Sequence, residues 1–271
     1  MRVDTRRVGV LKVVGSEATK DRDMVVRETP LTIFLNDDHL VTLMCSPRDA
    51  EHLVVGFLFS EGLIRDRKDI RRLESDVKAG SVWVETAGKK RLGEDLRAKG
   101  IITTGCGRGM SFMDTKEYRT RLRKLPDLRV SAADIASLMK RFQGMSPVYK
   151  ETGGVHSAAL ATARTVRAFS EDIGRHNAVD KVLGRCVLEG IDTSCLILLT
   201  SGRASSDILV KAARAGIRII VSRAAPTDLS IRLARDHGMT LIGFARGLRM
   251  NVYSNEWRVG TGPASEDRAG D

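Results

Sequence analysis

Aromatic residues are scarce: Phe, Trp and Tyr make up 4% of the 271 positions. Proteins that grip single-stranded nucleic acid need aromatic platforms set among basic residues. Here the aromatics do not interleave with the basic stretches, which weighs against a nucleic-acid partner. Cysteine is also sparse. The four residues Cys45, Cys106, Cys186 and Cys195 lack the spacing of a disulfide framework or of a four-ligand zinc site. That usage fits a reducing compartment, and the expected location is cytoplasmic. No apolar run approaches the ~18 residues that cross a bilayer. Met1 to Lys20 mixes Asp, Arg, Lys and Glu where a secretory leader needs an apolar centre. No membrane partner is expected.

Positive charge, by contrast, is plentiful. Lys and Arg number 45 against 34 Asp and Glu, a formal net charge of +11. Basic residues crowd between Lys89 and Arg129. Such an excess favours an anionic partner: nucleic acid, a phosphate-bearing cofactor or an acidic protein surface. For most of these side chains the ordinary reading is a solvated basic face.

The chain is long enough for one large domain or two modest ones. Val8 to Val14 reads as an edge strand. Glu28 to Leu35 and Leu40 to Met44 read as a hairpin turned by Asn36, Asp37 and Asp38. Ser46 and Pro47 resemble an N-cap and first helical position, with apolar residues at 50, 53, 54, 57 and 58 and a stop at Gly62. Ser81 to Thr86 is a further strand, and Asp114 to Lys124 a basic helix or loop. Pro126 to Pro147 reads as a hinge, in which Ser131 and Asp134 open a helix to about Phe142.

Beyond the hinge, strands at Val155–Ala161, Thr165–Phe169, Cys195–Thr200, Ile217–Ser222, Met239–Ala245 and Arg249–Tyr253 alternate with helices at Arg175–Leu188, Ser205–Ala215 and Pro226–His237. Apolar strands between amphipathic helices predict an α/β fold with a largely parallel sheet covered on both faces. The expected organisation is an N-terminal α+β domain over 1–125, a helical hinge over 126–147, a C-terminal α/β domain over 148–258 and a disordered tail over 259–271.

The stretch Ile101-Ile-Thr-Thr-Gly-Cys-Gly-Arg-Gly-Met110 begins β-branched, as a strand does, and ends in glycines around Cys106 and Arg108. A cation two residues from a thiol favours its nucleophilic thiolate. One reading is therefore a reachable sulfur nucleophile, with Arg108 steadying the thiolate or a persulfide. The other is a small apolar residue at a buried strand end. A phosphatase-type loop would need Arg where Phe112 stands, and a Cys-x-x-Cys pair would need Cys at Gly109. With no neighbouring thiol to displace a terminal sulfur, the loop suits persulfide carriage better than disulfide cycling.

Ligands of such sheets gather at the carboxyl ends of the strands. Three loops qualify: Glu171 to Asn177, Thr200 to Ser206, and Phe244 to Arg249. Ser201, Gly202 and Arg203 lead into a helix, whose free N–H groups and dipole favour an anion; ordinary capping by Ser205 or Ser206 is the alternative. His176 opens another helix, either as a ligand contact or as cap packing. Arg246 and Arg249 flank Gly247 in one bend, where guanidinium groups suit phosphate. A zinc deaminase would need His-x-Glu followed by Pro-Cys-x-x-Cys. Ala178 replaces the glutamate and Ser201 to Ser205 supply no cysteine, so zinc chemistry is not expected and no metal site is assigned.

Four segments carry a resemblance: Glu28-Thr-Pro-Leu-Thr-Ile33, Gly56 to Gly62, Thr152-Gly-Gly-Val-His156, and above all Glu171-Asp-Ile-Gly-Arg-His-Asn-Ala-Val-Asp-Lys181, with Thr200 to Arg203 in support. On these the chain resembles the FdhD family of formate dehydrogenase accessory sulfurtransferases, from about Glu28 to Tyr253. The resemblance implies a C-terminal domain like that of cytidine deaminases without their zinc. It implies an enzyme that takes sulfur from a cysteine desulfurase as a persulfide and passes it to the molybdenum (or tungsten) bis-guanine-dinucleotide cofactor destined for formate dehydrogenase. The persulfide cysteine falls on Cys106. The cofactor-binding segment falls on Phe244, Ala245, Arg246, Gly247, Leu248 and Arg249. The loop chemistry read above adds His176, Ser201, Gly202 and Arg203 as candidate cofactor or phosphate contacts. A homodimer is compatible with related chains. Many members carry Cys-Gly-x-Cys at the active loop; Gly109 stands at the second cysteine here, which leaves a single-thiol relay. The competing functions are a cofactor-holding chaperone without a covalent step and a nucleotide-acting hydrolase on the deaminase scaffold.

Overall fold

The structure, a computed structural model, describes residues 3–76, 78–88, 120, 122 and 124–261. Cys106, Arg108, the strand expected before them and most of the basic stretch from Asp114 to Lys124 lie outside the described residues. So does the tail beyond Thr261.

The chain opens with a two-stranded antiparallel ribbon, β1 (Thr5–Val14) and β2 (Glu17–Val26). Strand β2 is exposed along nearly its whole length and therefore shows no apolar alternation, which is why its sequence gives no strand signal. The hairpin of β3 (Thr29–Leu35) and β4 (Asp38–Cys45) turns at Asn36 and Asp37, both at positive φ (51° and 70°), the chemistry expected of that pair.

Helix α1 (Ala50–Glu61) starts later than the sequence suggests. Ser46 does not cap it, because its hydroxyl accepts from Ile173 N (3.1 Å) and its own N–H donates to Asp172 (3.0 Å). Tertiary partners have displaced the local cap. Gly62 ends the helix in the left-handed conformation (φ 77°) as predicted. Strands β5 (Ile70–Asp76) and β6 (Ser81–Thr86) complete a four-stranded sheet ordered β4-β3-β6-β5.

After β7 (Val130–Ser131), helix α2 (Ala132–Gly144) is capped by Ser131, which accepts from Asp134 N. Helix α3 (Pro147–Thr152) follows. Strands β8 (His156–Ala161) and β9 (Val166–Asp172), helix α4 (Arg175–Glu189), β10 (Ile197–Thr200), α5 (Ser206–Arg214), β11 (Ile219–Ser222), α6 (Asp228–His237), β12 (Thr240–Arg246) and β13 (Arg249–Ser254) then build a six-stranded sheet ordered β13-β12-β11-β10-β8-β9. The last helix begins after Pro226, with Thr227 and Ser230 forming a reciprocal capping box. A final strand, β14 (Val259–Gly260), lies parallel to β7, so the residues at the start of the expected tail are tied down.

The sheet is not largely parallel. Within it only β10-β11 and β11-β12 are parallel pairs; β8 and β13 run against them, and β9, antiparallel to β8, points the same way as β10. The tight turns joining β8 to β9 and β12 to β13 permit only antiparallel neighbours. One face is covered by α4, α5 and α6 through Leu160, Leu198, Val179, Ile208 and Ala234. The other is covered by α2 through Ile135, Leu138, Met139 and Phe142. Helix α1 packs on the four-stranded sheet and also against α4, which explains why it is buried nearly all round. The architecture is mixed α/β with several sheets.

Candidate functional site at the carboxyl ends of β10, β11 and β12

Antiparallel β8 brings its first residue, His156, to the same end of the sheet as Thr200, the last residue of β10. Ser201 follows at once. Its N–H donates to Ser157 O (3.0 Å), and its hydroxyl accepts from Ser157 N (2.9 Å) and lies 3.3 Å from His156 Nδ1. Gly202 is buried, and a Cβ there would stand 2.8 Å from Arg175 Cβ, so only glycine lets this loop close on the start of α4. Arg203 is exposed beside it.

The neighbouring loops are laced to this one. Arg223 N donates to Thr200 O, Ala204 N to Ala225 O, and Thr227 N to Ala204 O. Ser222 Oγ donates to Gly202 O (2.7 Å). At the end of β12 the register with β13 shifts between Gly243 and Arg246, and Phe244 adopts a left-handed backbone (φ 52°) that a bulky residue rarely takes. Phe244 N donates to Ala224 O (3.1 Å), and Arg246 Nε donates to Arg223 O (3.2 Å). Strand ends β10, β11 and β12 thus share one hydrogen-bonded rim. Strain at such a position is costly, of order 1–3 kcal/mol, and persists where the surroundings enforce it.

The rim is cationic. Arg175, Arg203, Arg223 and Arg246 stand along it, and the Nε atoms of Arg175 and Arg223 are buried without a hydrogen-bond partner among the described residues. The imidazoles do not add to the charge. His176 Nε2 lies 3.4 Å from Ser205 Oγ and 3.7 Å from an Asp207 oxygen. Burial first, then the charges of Arg175 and Lys211, push its pKa down to about 3, so the contact with Asp207 is a neutral one near pH 7. Burial, with the charges of Arg175 and Arg203, also lowers His156. Two neutral imidazoles, serine hydroxyls and guanidinium N–H groups form a surface whose chemistry suits an oxyanion.

Of the residues singled out from sequence, His176, Ser201, Gly202, Arg203, Phe244 and Arg246 come together on this rim. Ala245 is buried beneath it. Gly247, Leu248 and Arg249 form the exposed turn into β13, with Leu248 93% exposed. The sequence placed Arg175 in a candidate loop and His156 in a resembling segment without assigning either a role, and it did not point to Arg223. Arg223 follows β11 as Ser201 follows β10, so the strand-end rule could have found it.

The Asp172 to Lys181 part of the most specific motif serves a second purpose behind the rim. Asp172 and Lys181, both fully buried, pair at 2.7 Å. Asp172 also accepts from Ser46 N, Gly174 N and Asn177 Nδ2, and Lys181 donates to Ser46 O. Asp180 accepts from Ser60 Oγ (2.6 Å) and pairs with Lys211 (2.5 Å). These bonds lock the N-terminal layers to the helix that carries Arg175 and His176.

Residues 26–260 match the model of the FdhD/NarQ family. The sulfur carrier protein FdhD of Bacillus subtilis is 39% identical over 243 residues, covering 90% of this chain and 93% of that protein. Its counterpart of the same name in Listeria monocytogenes is 39% identical over 237 residues, 87% of this chain and 91% of that one. A crystal structure assigned to a formate dehydrogenase accessory protein of Desulfotalea psychrophila superposes with a TM-score of 0.76 at 29% identity, over 94% of this chain and 99% of that one. The chain belongs to the FdhD/NarQ family.

Proposed function

We propose that the protein is a sulfurtransferase that carries sulfur on Cys106 and delivers it to a molybdenum (or tungsten) bis-guanine-dinucleotide cofactor bound on the rim, for use by formate dehydrogenase. The observation that carries this reading is the cationic rim itself, with buried Nε atoms on Arg175 and Arg223 that have no partner among the described residues, in a chain whose relatives bear the name sulfur carrier over nearly their full length. The cofactor is the substrate. Its phosphates match Arg175, Arg203, Arg223 and Arg246, and its guanine edges match the neutral His156 and His176 with Ser201. Phe244, Ala245, Gly247, Leu248 and Arg249 extend the same surface.

The covalent step is a thiolate exchange. Cys106 attacks the outer sulfur of a cysteine desulfurase persulfide, the donor's inner sulfur leaves as thiolate, and Cys106 holds the sulfane sulfur, with Arg108 compensating its charge. Delivery as a sulfido ligand requires two electrons, which the reduced metal of the substrate supplies, and Cys106 returns as thiolate. The C-terminal layers act as a deaminase-like scaffold without zinc, and the division into 1–125, 126–147 and 148–258 separates the carrier half from the binding half. A cytoplasmic setting and a homodimer accord with this role.

Intact mass after incubation with desulfurase and cysteine tests it. The expected product is a reducible gain of one sulfur on the wild type and none on Cys106→Ala. No gain with an active donor would leave the rim as that of a cofactor-holding chaperone.

A further inference from the structure

A cavity of about 240 Å³ lies beside edge strand β9, far along the sheet from β12, where the N-terminal segment meets the C-terminal layers. One wall is polar, with Asp4, Arg48, Asp49, Ser170 and Glu171; the other is apolar, formed by Val148, Val155 and Phe169 among others. No part of the rim lines it.

Three observations mark it as built for a ligand. The first is charge. In a chain of net charge +11, this cavity presents three carboxylates to one guanidinium. Arg48 Nη2 stands 2.8 Å from Asp4 Oδ2, so that pair cancels and Asp49 and Glu171 remain in excess. The second is unmet hydrogen bonding. Ser170 is 3% exposed and its Oγ has no partner among the described residues; Asp4 is also 3% exposed and its Oδ1 has none there either. Buried polar atoms left alone are costly, and a bound group is one of the few things that accounts for them. The third is backbone. Asp49 holds a left-handed conformation (φ 57°) ahead of α1, yet its side chain makes no capping bond there, so helix capping does not account for it.

The chemistry of the missing group follows. It must donate hydrogen bonds, carry positive charge and leave an apolar body against Val148, Val155 and Phe169. Among the described residues no three His, Cys, Asp or Glu side chains converge as metal ligands, so the spaced carboxylates suit an organic cation better than an ion. We propose that this cavity binds a small primary ammonium compound with a short apolar body, its ammonium donating to Asp4 Oδ1 and Ser170 Oγ. Arg48 turns one of its N–H donors to Asp4 and, being half-exposed, keeps others for a carboxylate, which favours an α-amino acid over a simple amine.

Isothermal titration of the full-length protein distinguishes these. The probes are L-valine, L-valinamide, isobutylamine and isovalerate, which share one apolar body. The three ammonium compounds should bind with Kd on the order of 1 mM, a size-appropriate affinity for so few atoms, with L-valine tightest. Isovalerate, which lacks the ammonium, should give no heat. Ser170→Ala, which removes only the hydroxyl, and Asp4→Asn should each weaken isobutylamine by about tenfold while the thermal unfolding of Ser170→Ala stays cooperative. If no ammonium probe binds at about 10 mM, if isovalerate binds as well as L-valine, or if folded Ser170→Ala and Asp4→Asn bind isobutylamine unchanged, the proposal is overturned. Equal binding of isobutylamine and L-valine would keep the ammonium site and remove the amino-acid preference.

Discussion

Gly56 and Gly184 meet where α1 crosses α4. A methyl group on Gly56 would stand 1.8 Å from Asp180 O, and one on Gly184 would stand 1.9 Å from His52 O. Both obstacles are backbone, which cannot swing aside as a side-chain end can. The N-terminal layers therefore rest directly on the helix that begins with Arg175 and His176. This contact and the buried pairs of Asp172 and Asp180 set the position of that helix.

Gly56→Ala and Gly184→Ala should each destabilise by about 2–3 kcal/mol or more, the range for overpacking where nothing can yield. The check is a urea midpoint shift at unchanged slope. Gly144 lies in α2, and a methyl group added there would meet nothing within 4 Å. Gly144→Ala should leave stability unchanged or raise it by about 0.5–1 kcal/mol, because alanine loses less backbone entropy in a helix. Equal losses at all three positions would sink the close-crossing explanation.

Lys181 and Asp172 pair in complete burial. Removing one partner strands the other charge, so Lys181→Met should cost about 3–5 kcal/mol. The double change Lys181→Met with Asp172→Leu should recover part of that loss, since no charge is left to bury. A double change as damaging as the sum of the two single ones would show that the pair is not coupled.

Much of this was legible from sequence, and the failures have physical causes. Gly62, Gly190 and Gly238 end their helices in left-handed caps as expected, because a C-cap is decided within a few residues. Asn36 and Asp37 turned their hairpin for the same reason. Ser46 misled, since its cap-like placement was overruled by Asp172 and Ile173, far away in sequence. The strand directions misled because an apolar strand reads alike in parallel and antiparallel pairs. On the rim, the Ser201 loop was visible through its hydroxyls and glycine. His156 was hidden in plain view, since only the fold brings β8 beside the end of β10, and Arg175, inside a candidate loop, showed its role only through its contact with Gly202.

His176 should impose a pH dependence on stability. Its folded pKa, pushed down to about 3, lies below the ordinary 6.5. Between those values the unfolded chain takes up a proton that the folded chain refuses. This stabilising contribution is therefore whole above pH 6.5 and is lost progressively as pH falls toward 3. By pH 5 the loss is about 2 kcal/mol. His156, shifted the same way, adds to it. Urea unfolding of His176→Gln should show a flatter decline over pH 7 to 5 than the wild type, and the His176 ring in an NMR titration should stay neutral above about pH 5. A His176 ring that protonates near 6.5 would refute the desolvated placement.

The cysteines offer the sharpest separation of carrier from bystander. Burial pushes Cys45 to about 11 and Cys186 to about 12, so neither forms thiolate near neutral pH, and both are enclosed. Cys195 is exposed. Brief alkylation of the native protein should therefore label Cys195 and leave Cys45 and Cys186 untouched until the fold opens, as peptide mapping would record. Exposure is not carriage, however. The persulfide reading rests on Cys106, flanked by Gly105, Gly107 and Arg108, whereas Cys195 stands just before β10, at the end of that strand opposite the rim. Cys195→Ser should thus load sulfur from a desulfurase as the wild type does, and Cys106→Ala should not load although its Cys195 remains free. Sulfur found on Cys195 in the Cys106→Ala protein would mean that any accessible thiol accepts it, and the single-cysteine relay would lose its specificity.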